Sequence, residues 1–116
     1  MCYSLNRFCI VGKVIINEDA IFKDCYNLED ISCEISGLIR QETFYRCKKL
    51  KEIKFDDIRL LPKSFNNVPE LKALIILGKL QAAKLTIKKL SQYEIHCPSD
   101  SPLVELAYGG QTIIII

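Results

Sequence analysis

Long apolar runs are missing from this chain. No stretch approaches the roughly 18 apolar residues that a membrane-crossing helix needs, so no membrane span is expected. The segment "CIVGKVII" (Cys9–Ile16) is apolar, but Lys13 interrupts it and no small-residue cleavage site follows. It does not read as a secretory leader. An excess of one charge sign is missing too: 16 basic and 14 acidic side chains leave a net charge of +2. Dedicated nucleic-acid binders usually carry a strongly basic domain, so no nucleic-acid partner is expected. Histidine occurs once, at His96. There is no C-x-x-C pair, no G-x-S-x-G, no phosphate-binding glycine loop and no H-E-x-x-H. These absences remove the familiar zinc, redox, acyl-transfer, nucleotide and metalloprotease signatures. No catalytic residue, metal site or cofactor is expected.

What is present is an apolar chain of modest size. It has 116 residues, 49% of them hydrophobic. That suits one folded domain rather than a disordered polypeptide. Six cysteines (Cys2, Cys9, Cys25, Cys33, Cys47 and Cys97) are many for this length. In a secreted protein they would read as a disulfide framework.

The pattern that organises the chain is a repeat. One copy runs Phe22, Cys25, Leu28, Ile31, Cys33; the next runs Phe44, Cys47, Leu50, Ile53, Phe55; a third runs Phe65, Val68, Leu71, Leu74, Ile76. Offsets from the phenylalanine are 0, 3, 6, 9 and 11 each time, and the copies start 22 and then 21 residues apart. A period in this range marks stacked units. The L-x-x-I-x-[apolar] half puts alternate side chains of a short strand on one face. The F-x-x-C-x-x-L half has spacing three, which suits a turn of helix or 3₁₀ structure. One unit cannot bury such a face alone, but stacked units can. An aliphatic residue also stands five positions ahead of Phe44 (Ile39) and Phe65 (Leu60), and six ahead of Phe22 (Ile16), in what reads as a loop.

These units resemble the BspA-like leucine-rich repeat, through "IFKDCYNLEDI", "TFYRCKKLKEI" and "SFNNVPELKAL". The proline that follows the strand in that family is mostly absent here. The resemblance implies an α/β fold, a right-handed leucine-rich-repeat solenoid. Short parallel strands would line its concave face, with short helical turns and loops opposite. The expected organisation is a single domain: a partial repeat 1–14, repeats at about 15–36, 37–58 and 59–78, a degenerate repeat at about 79–98, and a cap at 99–116. In the degenerate copy Leu90, Tyr93 and Ile95 mimic the strand half, and no phenylalanine precedes them.

The two ends read differently. In "SDSPLVELAYGGQTIIII", Ser101 can cap a helix with Pro102 at its first position, and Gly109-Gly110 can end it. Leu103, Leu106 and Ala107 would share its face, and "TIIII" would follow as a closing strand. At the other end, "CYSLNRFCI" starts in mid-repeat, so the array is expected to be truncated. A homodimer through that uncapped first repeat, or through an apolar stripe, is one expectation.

Cys25, Cys47 and Cys33 fall at inward positions filled elsewhere by Val68, Phe55 and Ile76, which predicts buried small hydrophobes rather than ligands or disulfide partners. Core-type thiols lean towards a reducing compartment, while a truncated array leaves a surface or secreted location open. Cys9 reads as outward-facing. His96 beside Cys97 invites a thiol-enzyme reading using Cys9, Cys97 or His96, but neighbouring strand residues point to opposite faces. Lys79, Lys84, Lys88 and Lys89 read as a solvated edge.

The outward strand positions form the candidate site. They are Arg7, Cys9 and Val11; Asp30, Ser32 and Glu34; Glu52, Lys54 and Asp56; Ala73, Ile75 and Leu77; Gln92, Glu94 and His96. The stripe passes from acidic to apolar, and exposed Ile75 and Leu77 would mark a protein-binding surface. The expected function is non-catalytic recognition of a protein partner of unknown identity on the concave face. Asp30, Ser32, Glu34, Glu52, Lys54, Asp56, Ile75, Leu77, Glu94 and His96 would make the contacts. Two other readings are a structural element that pairs through its first repeat or last strand, and a small thiol enzyme.

Overall fold

The computed structural model describes residues 7–8, 13–16, 22–31, 33–65 and 67–116. Short apolar segments at a constant interval pair side by side, because each buries its inward side chains only against the next. The strands are β1 (Arg7–Phe8), β2 (Lys13–Ile16), β3 (Asp30–Ile31), β4 (Glu34–Ile39), β5 (Glu52–Leu60), β6 (Ala73–Ile76), β7 (Leu80–Ala82), β8 (Glu94–Cys97) and β9 (Thr112–Ile115). Every ladder between them is parallel. Among the described residues they form an open sheet in the order β2-β4-β5-β6-β8-β9, with β7 also on β5, and a separate β1-β3 pair. Among the described residues one short α-helix, α1 (Lys84–Lys89), and two 3₁₀ segments (Leu90–Gln92 and Pro102–Gly109) complete a mixed α/β structure.

The register follows the repeat. Ile53 lies level with Leu74 and Phe55 with Ile76. Leu74 in turn lies level with Ile95. All fifteen inward positions of the three copies, from Phe22 to Ile76, are buried. The phenylalanines follow one another: Phe22 and Phe44 stack 5.5 Å apart at 5°, and Phe44 and Phe65 lie 6.2 Å apart, tilted by 33°. The residue before two of them is polar, buried and hydrogen-bonded. Thr43 Oγ1 accepts from the Arg40 amide at 3.0 Å, and the Ser64 hydroxyl donates to the Ile39 carbonyl at 3.0 Å.

The segment ahead of each phenylalanine is not a loop. It forms a second run of strands. Ile16 pairs with Gly37, Ile39 with Leu60, and Leu60 with Ala82. Hence Ile16, Ile39 and Leu60 are buried. In β5 the two runs are continuous and turn a corner. Ile35 pairs with Phe55 but Gly37 with Ile58, so three residues of β5 span two of β4. Such a bulge bends a strand and re-aims its side chains. Accordingly the buried positions change from Ile53 and Phe55 to Ile58 and Leu60. Asp57 holds the corner by accepting the Lys79 amide at 2.7 Å. Gly37 has φ +110°, and a Cβ there would strike the Ile16 carbonyl. Only glycine fits both demands.

The C-terminal signals form as expected, with a 3₁₀ winding. The Ser101 hydroxyl accepts from the Leu103 amide at 3.2 Å, Pro102 opens the segment, and Gly110 ends it in the left-handed region. Leu103 is buried and Leu106 packs on the core, but Ala107 is exposed, so the shared face is narrower than expected. β9 then pairs with β8 and covers the last unit.

Two registers differ from the expectation. Ile35, not Cys33, lies level with Phe55. In the degenerate copy Ile95 lies level with Leu74, so Glu94 aligns with Ala73 and His96 with Ile75. That is two residues away from the alignment that Leu90, Tyr93 and Ile95 suggest. Ile95 and Cys97 take the inward strand positions, and Tyr93 turns inward just before the strand.

Candidate functional site

Parallel register brings the predicted residues into rows on the outward face of β5, β6 and β8. One row runs Glu52, Ala73, Glu94, Thr112; the next runs Lys54, Ile75, His96, Ile114. Their alternating inward neighbours are buried, which anchors the rows on a packed sheet. Asp30, in β3, is exposed and its backbone pairs with that of Arg7. Asp30, Glu52 and Lys54 line a polar depression of about 310 Å³. At the opposite end, His96 Nε2 lies 3.3 Å from Glu94 Oε1. Glu34 and Asp56 are half-buried. Ser32, Cys9, Val11 and Cys2 lie outside the described residues. Gln92 is exposed in a 3₁₀ turn rather than on the strand.

Ile75 and Leu77 are not fully exposed as expected, but half-buried. Ile75 sits between Lys54 and His96 in the row, and the Leu77 amide donates to the Phe55 carbonyl at 2.9 Å. The simple change from acidic to apolar is also interrupted, since Glu94 falls beyond Ala73. The large side chains that stand most exposed are elsewhere: Ile15, Leu85, Ile115 and Ile116.

The thiols divide. Cys33, Cys47 and Cys97 are free and buried. Burial pushes all three up from the ordinary thiol range, Cys47 to about 12. The Cys47 thiol donates to the Phe22 carbonyl at 3.0 Å. Cys25, by contrast, is disulfide-bonded, and its partner is outside the described residues. This corrects the expectation that Cys25 is only a small core residue, and it weakens the argument from cysteines for a reducing compartment. Valine at the matching position of the third unit shows that the slot is apolar, not that its cysteines stay apart. Cys97 is buried and His96 half-exposed, so the two face opposite ways as expected.

Sequence reasoning missed two features on the turn side. Arg46 lies 5.0 Å from the Tyr45 ring centroid, donates to the Tyr26 hydroxyl at 3.3 Å, and stands 3.9 Å from the Asp24 carboxylate. Lys48 sits 5.5 Å from the Tyr26 ring centroid. These contacts clasp the turns of two successive units. The second feature is a cleft of about 490 Å³ between the third turn and α1. The missing phenylalanine of the degenerate copy was its only signal. Lys79, Lys84, Lys88 and Lys89 are all exposed. Among the described residues no cluster of three or more His, Cys, Asp or Glu is placed to hold a metal ion. No described helix is long and apolar enough to cross a membrane.

No known protein family, curated protein or solved structure matches this chain.

Proposed function

We propose that the parallel ladders are a right-handed leucine-rich-repeat solenoid of the BspA-like kind, and that it acts as a non-catalytic module binding a protein through its strand-lined face. One observation carries this reading: side chains of mixed character stand in register across β5, β6 and β8, with a half-buried isoleucine between a lysine and a histidine. A packed parallel sheet holds the backbone of such a row in place, which lowers the ordering cost of binding. Asp30, Glu34, Glu52, Lys54, Asp56, Ile75, Leu77, Glu94 and His96 would supply the contacts, together with Ser32, which lies outside the described residues. The reading assigns no catalytic residue and no cofactor, and the mixed charge favours a protein over a nucleic acid. The recognition role rests on what such folds usually do.

The test is a photo-crosslinker placed at His96, and separately at Lys49 on the turn side. A partner trapped only from His96, and lost with Ile75→Asp, supports the reading. Equal capture from both positions sinks it.

A second reading is self-assembly. Among the described residues β9 pairs only with β8, and Ile115 and Ile116 are 50% and 58% exposed. An uncharged apolar edge strand is a template for another chain. Light scattering after size exclusion, across a concentration series, separates the two. A dimer abolished by Ile115→Lys favours assembly, and a monomer throughout favours the recognition surface.

A further inference from the structure

The aromatic stack stops abruptly, and a cleft begins where it stops. Phe22 and Phe44 lie 5.5 Å apart at 5°, and Phe65 continues the column 6.2 Å from Phe44 with its ring tilted by 33°. Twenty-one residues after Phe65, at the interval between Phe44 and Phe65, stands Thr86. It is the buried residue of α1, so it points inward as the phenylalanines do. Threonine is far smaller than phenylalanine. Tyr93 approaches Phe65 edge-on, 5.8 Å away at 80°, and does not continue the stack. A cleft of about 490 Å³ lies here, lined by Phe65, Thr86 and Tyr93, each more than nine-tenths buried, among others. That volume falls within the range of small-molecule sites, roughly 300–1,000 Å³.

The lining also has a charge sign. Lys63 and Lys89 contribute to it, and no acidic side chain does. Both lysines are exposed to solvent. Ser64 and Thr86 also line the cleft, the Ser64 hydroxyl already donating to the Ile39 carbonyl. Lys63 is held at φ +67°, in a region costly for a non-glycine residue. An aromatic floor with two cations and no anion selects a flat ring that carries a negative charge.

We propose that this cleft binds a small aryl carboxylate, its ring continuing the phenylalanine stack over Thr86 and its carboxylate meeting Lys63 and Lys89. The site lies on the turn side, apart from the strand-lined face, and does not depend on the recognition reading.

The test uses 1-naphthoate as probe, with the uncharged 1-naphthalenemethanol and the aliphatic hexanoate as comparisons, titrated by calorimetry and by NMR shifts of Tyr93. The expected result is saturable binding of 1-naphthoate, tighter than either comparison. Thr86→Phe puts a ring into the cleft and is expected to abolish binding. Lys63→Ala with Lys89→Ala is expected to weaken 1-naphthoate about fivefold, the scale of a partly exposed ion pair, and to leave 1-naphthalenemethanol unchanged. The lysine pair is exposed, so it reports even if Thr86→Phe fails to fold. No saturable binding of 1-naphthoate, equal binding of hexanoate, or binding indifferent to the lysine pair would each overturn the proposal. Binding of a Phe-Asp peptide without any of 1-naphthoate would also overturn it, in favour of a peptide site.

Discussion

Alanine placed at four glycines should separate two costs that usually arrive together, a positive φ and a close neighbour. At Gly109 neither applies, since a Cβ meets nothing within 4 Å. At Gly110 only the backbone objects, with φ +92° and open space around it. At Gly78 only the space objects, because a Cβ would press on the Asp56 and Asp57 carboxylates and on the Asp56 backbone. At Gly37 both apply, with φ +110° and the Ile16 carbonyl in the way. A left-handed conformation costs an L-residue about 1–2 kcal/mol. Forcing extra volume into a packed place costs about 1–3 kcal/mol. Gly109→Ala is therefore expected to be neutral or to stabilise by up to about 1 kcal/mol, through the unfolded chain. Gly110→Ala should cost about 1–2 kcal/mol, and Gly78→Ala about 1–3 kcal/mol. Gly37→Ala should cost about 2–5 kcal/mol, the sum of both. For a chain of this length the unfolding entropy is about 0.24 kcal/mol/K, so a loss of 3 kcal/mol lowers Tm by about 12 °C. Circular dichroism during thermal and urea unfolding reads all four. The reasoning fails if Gly37→Ala is no worse than Gly109→Ala, because the strand pairing at Ile16 and Gly37 would then not be as described.

Three other outcomes follow from packing, titration and capping. Phe44→Ala should cost about 3–5 kcal/mol, since Phe44 is wholly buried and meets the rings of Phe22, Phe55 and Phe65; a urea midpoint within error of the wild type would refute its place in the stack. Burial raises the Cys47 thiol from 9.0 to about 12. The folded state therefore keeps its proton while the unfolded chain loses it, so stability is full below about pH 9 and falls as pH rises towards 12. Cys33, Cys97 and Tyr93 are shifted the same way and add to the fall. Cys47→Val should shrink the difference in urea midpoint between pH 7.5 and pH 10.5, and an unchanged difference would mean that this thiol is not buried. Ser101→Ala should cost about 1 kcal/mol by removing the acceptor at the Leu103 amide, while Ser101→Asp should restore most of it, both read from thermal midpoints.

The residues at offsets 0, 3, 6, 9 and 11 were legible as a buried set because their spacing is local and recurs three times. A position that is apolar in Phe22, Phe44 and Phe65 alike has one physical account, a shared inward column, and the structure buries all three. The closing segment was legible for the same kind of reason. Serine, proline and two glycines act on their own backbone, so Ser101 to Gly110 declares its ends without help from the rest of the chain. The outward rows followed from strand alternation wherever the register was simple, as at Glu52, Ala73, Lys54 and Ile75.

What only the tertiary structure decided depends on which strand lies beside which. Ahead of each phenylalanine the sequence shows an aliphatic residue at a near-constant distance, Ile16, Ile39 and Leu60, which a loop would tolerate as well as a strand. The second run of strands forms because β4 is held between β2 and β5. The β5 bulge shifts the inward set by one residue, and nothing in "EIKFDDIRL" taken alone says where the alternation changes. In the last unit Leu90, Tyr93 and Ile95 allow two registers two residues apart. The pairing of Leu74 with Ile95 chooses one, and with it the neighbours of Ile75 on the candidate face. The bond at Cys25 likewise depends on a sulfur brought near by folding, which residue type and spacing do not reveal. Local spacing tells a side chain which way to point, but only the packed neighbour tells it what it meets.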